Sequence, residues 1–433
     1  MRSREVATPH RPSQITISML GELFRTCPRP EFSVRLWNGT TWRLDPGLPC
    51  HYTLVLTHPG ALRTMLVPPS ELNMAESYIF GDIDIEGSVE DACSLAEYLQ
   101  NLEWKVPERL RLALRLHALP KDGLGATGRH PAAVHGSVHS EARDRQAVSY
   151  HYDTSNEFFS LWLDKWMVYS SAYFRTPEDD IDTAQEQKLD YVCRKLRLTA
   201  GERLLDVGCG WGGLVMHAAR NYGAHVLGVT ISSRQAELAR ARIQQAGLSD
   251  LCKIEIRDYR EIDQPSGFDK IVSIGMFEHV GASHLPQYFY QAWRLLRPGG
   301  VFLNHGIARD SVDKPHSGPS FAKRYVFPDS ETVPIETTLT VAGKSGFELR
   351  DVENLREHYA LTLRRWVARL EQHHEEAVST TDETTYRIWR LFMAGAAHRF
   401  AKGKLNVFQT LFSKPDDGAS SLPLRRSDWY LTW

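Results

Sequence analysis

A doubly wound α/β fold with a mostly parallel sheet, preceded by a small α+β domain, is what this 433-residue chain predicts. Three observations predict it. Strand-like and helix-like stretches alternate from about residue 200 onward. A glycine-rich turn, GCGWGG (208–213), follows the first of those strands. A later strand, in IVSIGMFEHVG (271–281), ends on an acid and an imidazole, Glu278 and His279, where core packing asks for neither. Parallel neighbours need a long crossover, and an intervening helix supplies it, so this alternation implies a parallel sheet.

The elements follow in order. SVRLWNGTTWRL (33–44) holds two alternating runs around Asn38-Gly39, a hairpin signal in which both turn residues are expected at positive φ. HYTLVLT reads as a strand stopped by Pro59-Gly60, and Ser88 as the cap of a helix over VEDACSLAEYLQNL. These make residues 1–119 an α+β accessory domain. Residues 120–146, rich in Gly, Ala, Ser and His and lacking periodicity, read as a linker, whose His130, His135 and His139 have no acid or Cys at ligand spacing. From 147 to 433 the chain carries the parallel sheet. Its strands are RLLDV, AHVLGVT, CKIEIRD, FDKIVSIGMF and GGVFLNHGI, with helices over LVMHAARNYG, SRQAELARARIQQAG and HLPQYFYQAWRLLRPGG between them.

Composition narrows the function. A formal net charge of −2 gives no global field that would draw the chain to nucleic acid. Six scattered cysteines without a C-x-x-C argue against a disulfide framework or a zinc site and suit a reducing cytosol. The first twenty residues lack an apolar core of the signal-peptide kind, and no run reaches the ~20 apolar residues of a membrane span.

In an open parallel sheet, ligands sit beyond the carboxyl ends of the strands. Gly208, Gly210 and their neighbours fall there, letting backbone amides approach a ligand, and Asp206 lies just before them. The turn also satisfies G-x-G-x-x-G, which is weak alone. A nicotinamide enzyme would carry an acid at the end of the second strand, and GVTISSRQ has none.

LLDVGCGWGG followed by GVTIS resembles the S-adenosylmethionine (SAM) site of class I methyltransferases. Together with HYDTSNEFF, MVYSSAYF, RDYRE, SIGMFEHVG and YVFP, it identifies residues 147–412 as similar to the cyclopropane-fatty-acyl-phospholipid synthase and mycolic acid cyclopropane synthase family. AESYIFGDIDIEG resembles the extra N-terminal domain of the bacterial phospholipid-acting members. The resemblance implies a SAM site lined by Tyr152, Tyr169, Ser170, Asp206, Gly208 and Gly210. Thr230, Ile231 and Gln235 would flank ribose and adenine, with Asp258, Tyr259, Arg260 and Ile274 closing the adenine side. It implies bicarbonate as the base, held by Glu278, His305, Tyr359 and the amides around Ser171 and Ile307, with His279 turned away as a structural residue. The implied reaction is methyl transfer to a cis double bond of an unsaturated phospholipid acyl chain, then deprotonation of the new methyl to close a cyclopropane ring. A weak π nucleophile makes positioning the main lever, and water must be kept from the carbocation. The family pattern Y-S-C-A-Y stands here as YSSAY, with Ser171 in place of Cys.

Residues 316–360 and Phe158, Phe159, Trp162, Phe174, Phe277 and Tyr325 are candidates for the acyl-chain tunnel. VPERLRLALRLHALPK (106–121) is a basic amphipathic helix suited to transient contact with anionic lipid, which would place a cytoplasmic enzyme at the inner membrane surface. PLRRSDWYLTW extends beyond the family pattern, and the oligomeric state, a homodimer included, stays open. Three rival readings remain: methylene or methyl branching of the acyl chain, N-methylation of a small amine, and a decayed lipid-binding protein.

Overall fold

The computed structural model describes residues 11–103, 105–121, 123–125, 128–152, 154–311 and 320–430. The chain divides into two compact units. The first comprises Met1–Pro131, His316–Tyr325 and Asp382–His398, and the second Ala132–Pro315, Val326–Thr381 and Arg399–Trp433.

The first unit holds a four-stranded sheet in the order β2-β1-β3-β4, with β1 Phe32–Arg35, β2 Thr41–Trp42, β3 Tyr52–Leu56 and β4 Ile83–Gly87. The hairpin around Asn38-Gly39 forms, pairing Val34 with Trp42, but only Gly39 takes positive φ (82°). Asn38 keeps ordinary backbone and accepts from the Thr40 amide at 3.1 Å, so its side chain closes the turn that a left-handed backbone was expected to close. Ser88 caps helix Val89–Gln100 by accepting from the Asp91 amide. Helix Val106–His117 buries Leu116 and leaves Val106, Leu110 and Leu114 at 79, 62 and 65% exposure. These three recur every four residues and so share one face.

The second unit is built on a seven-stranded sheet in the order β10-β11-β9-β8-β5-β6-β7. Its strands are β5 Arg203–Val207, β6 His225–Thr230, β7 Cys252–Ile256, β8 Phe268–Ile274, β9 Leu296–Arg309, β10 Glu348–Asn354 and β11 Leu405–Ser413. Four neighbouring pairs are parallel, and β11 alone runs against the rest. Alternate residues enter opposite cores. Leu204, Val272 and Leu303 pack with helices Ile181–Leu196, Gly213–Tyr222 and Ser233–Gln245. Leu205, Ile271 and Phe302 pack with helix Leu285–Leu295 and Phe347. Burial on both faces is why these strands read as continuous apolar runs.

Glu141–Tyr152 is a helix, though its first residues lie in the stretch whose composition suggested a linker. Polar ties hold it: Arg143 to Asp329 and Asp144 to Arg260. At the other end of the chain, Trp429 is buried, Arg197 pairs with Asp428 and Arg426 with Asp351, so the described part of the C-terminal tail packs on this unit. Trp433 lies outside the described residues.

Candidate active site

The site begins at the end of β5. The amides of Gly208 and Cys209 both donate to the Val229 carbonyl at 3.0 Å, folding the turn back onto β6. Gly208 has φ 83°, and a Cβ there would meet the Met276 side chain at 2.9 Å, so both backbone and space require glycine. The turn then feeds helix Gly213–Tyr222, while Trp211 is fixed by donating its indole N–H to Asn156 at 2.8 Å.

A cavity of the second unit opens over this turn, at the strand-order reversal where β5 lies between β6 and β8. It is lined by Tyr152, Tyr169, Ser170, Asp206, Gly208, Gly210, Thr230, Ile231, Gln235, Asp258, Tyr259, Arg260 and Ile274. The thirteen positions inferred from the sequence motifs therefore converge, although they span more than a hundred residues of chain. Thr230 donates to the Gln235 side chain at 2.9 Å, and Tyr152 hydrogen-bonds the same amide. Arg260 binds Asp258 at 2.6 Å and Asp144 at 2.9 Å, tying the helix that carries Tyr152 to the short helical turn Tyr259–Glu261 after β7. Arg260 is thus committed to carboxylates of its own chain.

Among the cavity residues that sequence reasoning did not place there are Lys188, Trp211, Met276 and His279. Lys188 is buried and donates to Ser170 Oγ at 3.1 Å. Burial lowers its pKa to about 8. Asp206 faces the same cavity, where burial raises its carboxyl to about 7 against the opposing pull of Lys188. His279 lines the cavity instead of turning away; burial lowers its pKa to about 4. The single helical turn Phe277–His279 after β8 explains this, because it carries His279 to the cavity while Glu278 turns to the Ile307 amide.

Glu278 and His305 stand at the ends of β8 and along β9, where Ile274 pairs with His305. Glu278 is buried. Its Oε1 accepts from the Ile307 amide at 2.7 Å, while its Oε2 has no hydrogen-bond partner among the described residues. Burial raises its pKa to about 7, only partly offset by the Ile307 amide. His305 is 1% exposed; its Nδ1 lies 3.2 Å from Gln409 Nε2, and its Nε2 is likewise partnerless among the described residues. Burial, reinforced by Lys188 and Lys195, holds its pKa well below the ordinary value, so the ring is neutral. Tyr359 packs its ring 4.7 Å from Phe400. Burial is the main cause that raises its pKa, with Glu278 adding to it, which keeps the phenol protonated. Ser171 is fully buried, and its hydroxyl donates to the Ala172 carbonyl at 3.1 Å.

Two buried polar atoms without a hydrogen-bond partner among the described residues thus stand on neighbouring chain segments, one just after β8 and one on β9, with a protonated phenol close enough to Glu278 to feel its charge. The Ile307 amide corrects one expectation: it is taken by Glu278, so it orients the carboxyl. Of the aromatic candidates, Phe159 and Trp162 pack around Tyr169, at 5.9 and 5.5 Å between ring centroids. Phe277 belongs to the core beneath the sheet, and Tyr325 to the first unit, where it donates to Glu76 at 2.8 Å. Residues 316–319 of the expected tunnel segment lie outside the described residues.

A parallel sheet with this glycine turn, and a cavity at its switch point, define a SAM-dependent methyltransferase. The family model described as mycolic acid cyclopropane synthetase matches residues 139–410. A probable fatty acid methyltransferase of Pseudomonas putida is 39% identical over 406 residues, 92% of this chain and 95% of its own. The cyclopropane-fatty-acyl-phospholipid synthase of Escherichia coli K12 is 35% identical over 61% of this chain and 66% of its own. Among solved structures, the mycolic acid cyclopropane synthase CmaA1 complexed with SAH and CTAB aligns with TM-score 0.59 and 33% identity, over 62% of this chain and 98% of that one. The chain belongs to the mycolic acid cyclopropane synthetase family, whose members include fatty acid methyltransferases and cyclopropane synthases.

Proposed function

We propose that this enzyme transfers a methyl group from SAM to the cis double bond of an unsaturated phospholipid acyl chain and closes a cyclopropane ring with the help of bicarbonate. The observation that carries the reading is the pair of buried atoms without a hydrogen-bond partner among the described residues, Glu278 Oε2 and His305 Nε2, next to Ile274 of the glycine-turn cavity in the sheet. SAM, when bound, supplies an electrophilic methyl on a sulfonium, and bicarbonate supplies a small base. Asp206 and Lys188, opposite charges facing one end of the cavity, hold the amine and carboxylate of an amino-acid group. Thr230 and Gln235 offer neutral hydrogen bonds to a ribose, which the missing strand-end acid would otherwise make. Tyr152, Tyr169 and Ile274 wall the cavity with apolar surface and keep water out.

At the second subsite the residues hold and move a proton. His305 and Tyr359 are neutral donors, so they bind an anion without neutralising it as a base. Glu278, poised near pH 7, would take up at Oε2 the proton removed from the substrate and return it to solvent between turnovers. Ile307 fixes the carboxyl through Oε1 so that Oε2 faces the anion. The exposed Val106, Leu110 and Leu114, flanked by Arg109 and Arg111, rest on the anionic cytoplasmic membrane surface where the substrate resides. No helix among the described residues is long and apolar enough to cross a membrane.

The test is to incubate the protein with unsaturated phospholipid and methyl-labelled SAM, with and without bicarbonate, and to analyse the fatty acids by mass spectrometry. Gain of one labelled CH2 as a ring, dependent on bicarbonate, supports the reading; label in small amines instead of lipid sinks it. One observation favours a second reading. Ser171 stands where the family pattern has Cys, and the P. putida relative is named a fatty acid methyltransferase. On that reading the same transfer ends in a methylene-branched chain, an isomer of the ring with the same mass, and proton NMR of the isolated fatty acid tells ring closure from branching.

A further inference from the structure

Gln409 and His305 face each other across the antiparallel pair of β11 and β9, at directly opposed register positions. Both are 1% exposed, and Gln409 Nε2 lies 3.2 Å from His305 Nδ1. A neutral imidazole carries its proton on one nitrogen only, and the partner at the other nitrogen decides which. An amide N–H directed at Nδ1 requires a lone pair there, which places the ring proton on Nε2. That is the nitrogen left without a hydrogen-bond partner among the described residues, as is Oε2 of Glu278 just after the neighbouring strand. The alternative arrangement, with the amide oxygen accepting from Nδ1–H, would leave a lone pair on Nε2 and repel an anion held there. We propose that Gln409 is a positioning residue that locks His305 as the Nε2–H tautomer, making the imidazole an anion donor while it stays uncharged. The proposal rests on the anion-site reading of Glu278 and His305. Nothing about β11 in sequence points to it, because Gln409 lies 104 residues downstream of His305 and only the strand register joins them.

The experiment uses the full chain labelled with 15N at histidine, in bicarbonate-free buffer, with His305 assigned by its loss in His305→Asn. Long-range 15N–1H correlation is expected to show Nε2 protonated and Nδ1 bare. In Gln409→Met the tautomers should mix, and the bicarbonate concentration giving half-maximal turnover should rise about five- to tenfold, the equivalent of one hydrogen bond. The rate at saturating bicarbonate and the SAM affinity should change less than twofold. Gln409→Glu, which keeps the shape and offers only acceptors, should move a proton onto Nδ1, and it serves where the Met variant fails to fold. A wild-type ring protonated on Nδ1, or a Met variant matching wild type in tautomer and bicarbonate dependence, would overturn the proposal. If the Nε2–H tautomer is found but turnover ignores bicarbonate, the positioning stands and the anion reading fails.

Discussion

Glu278→Gln should stabilise the protein above neutral pH while abolishing turnover. Burial lifts the Glu278 carboxyl from its usual 4.5 to about 7. At about 1.4 kcal/mol for each tenfold step in proton affinity, holding the ionised carboxylate in the fold costs about 3 kcal/mol. The sign follows from proton linkage. Between pH 4.5 and 7 the folded state binds the proton that the unfolded state has released, so stability falls as pH rises through this window and levels off above it. Gln keeps the Oε1 acceptor for the Ile307 amide and never ionises, so its stability lacks this decline. The assay is urea unfolding of both proteins from pH 5 to 8.5 in bicarbonate-free buffer. The variant should gain about 3 kcal/mol over wild type at pH 8 and well under half of that at pH 5. Turnover should fall at least ~100-fold, as for loss of a proton-handling group, with SAM affinity within twofold. A gap that does not change with pH, or a variant less stable than wild type at pH 8, would refute the argument that burial, only partly offset by the Ile307 amide, sets this carboxyl.

Three other changes probe other parts of the account. Gly208→Ala forces φ 83° on an L-residue and a 2.9 Å contact with Met276, so it should cost about 1–3 kcal/mol in thermal unfolding and weaken SAM binding. Lys188→Met should lower SAM affinity about tenfold by isothermal titration, because it removes a buried charge-assisted donor beside Ser170, while adenosine binding stays unchanged. Replacing Val106, Leu110 and Leu114 together by Gln should abolish co-sedimentation with anionic vesicles and leave the urea midpoint within experimental error, since all three are exposed.

The sequence made the sheet legible because β5, β6, β8 and β9 are buried on both faces and are punctuated by glycine turns. Glu278 and His305 stood out for the same reason: titratable groups that follow or interrupt apolar strands break the pattern. The helix at Glu141–Tyr152 was hidden because ion pairs through Arg143 and Asp144, and no apolar stripe, hold it. Lys188 sits in helix Ile181–Leu196 among other charged residues, and only packing reveals that its ammonium is buried while Lys165 is exposed. Asn38 shows the limit of turn rules, since a side-chain acceptor substituted for backbone strain. Gln409 was missed, and His279 was expected to turn away, because register and a single helical turn, not composition, set where their side chains go.

The most direct test of the central claim is a crystal structure of the full chain grown with SAH and bicarbonate. The account predicts a planar anion within hydrogen-bond distance of Glu278 Oε2, His305 Nε2 and the Tyr359 hydroxyl, with SAH against the Gly208 turn. Water alone at that position, in crystals of an enzyme that turns over fully without bicarbonate, would contradict it.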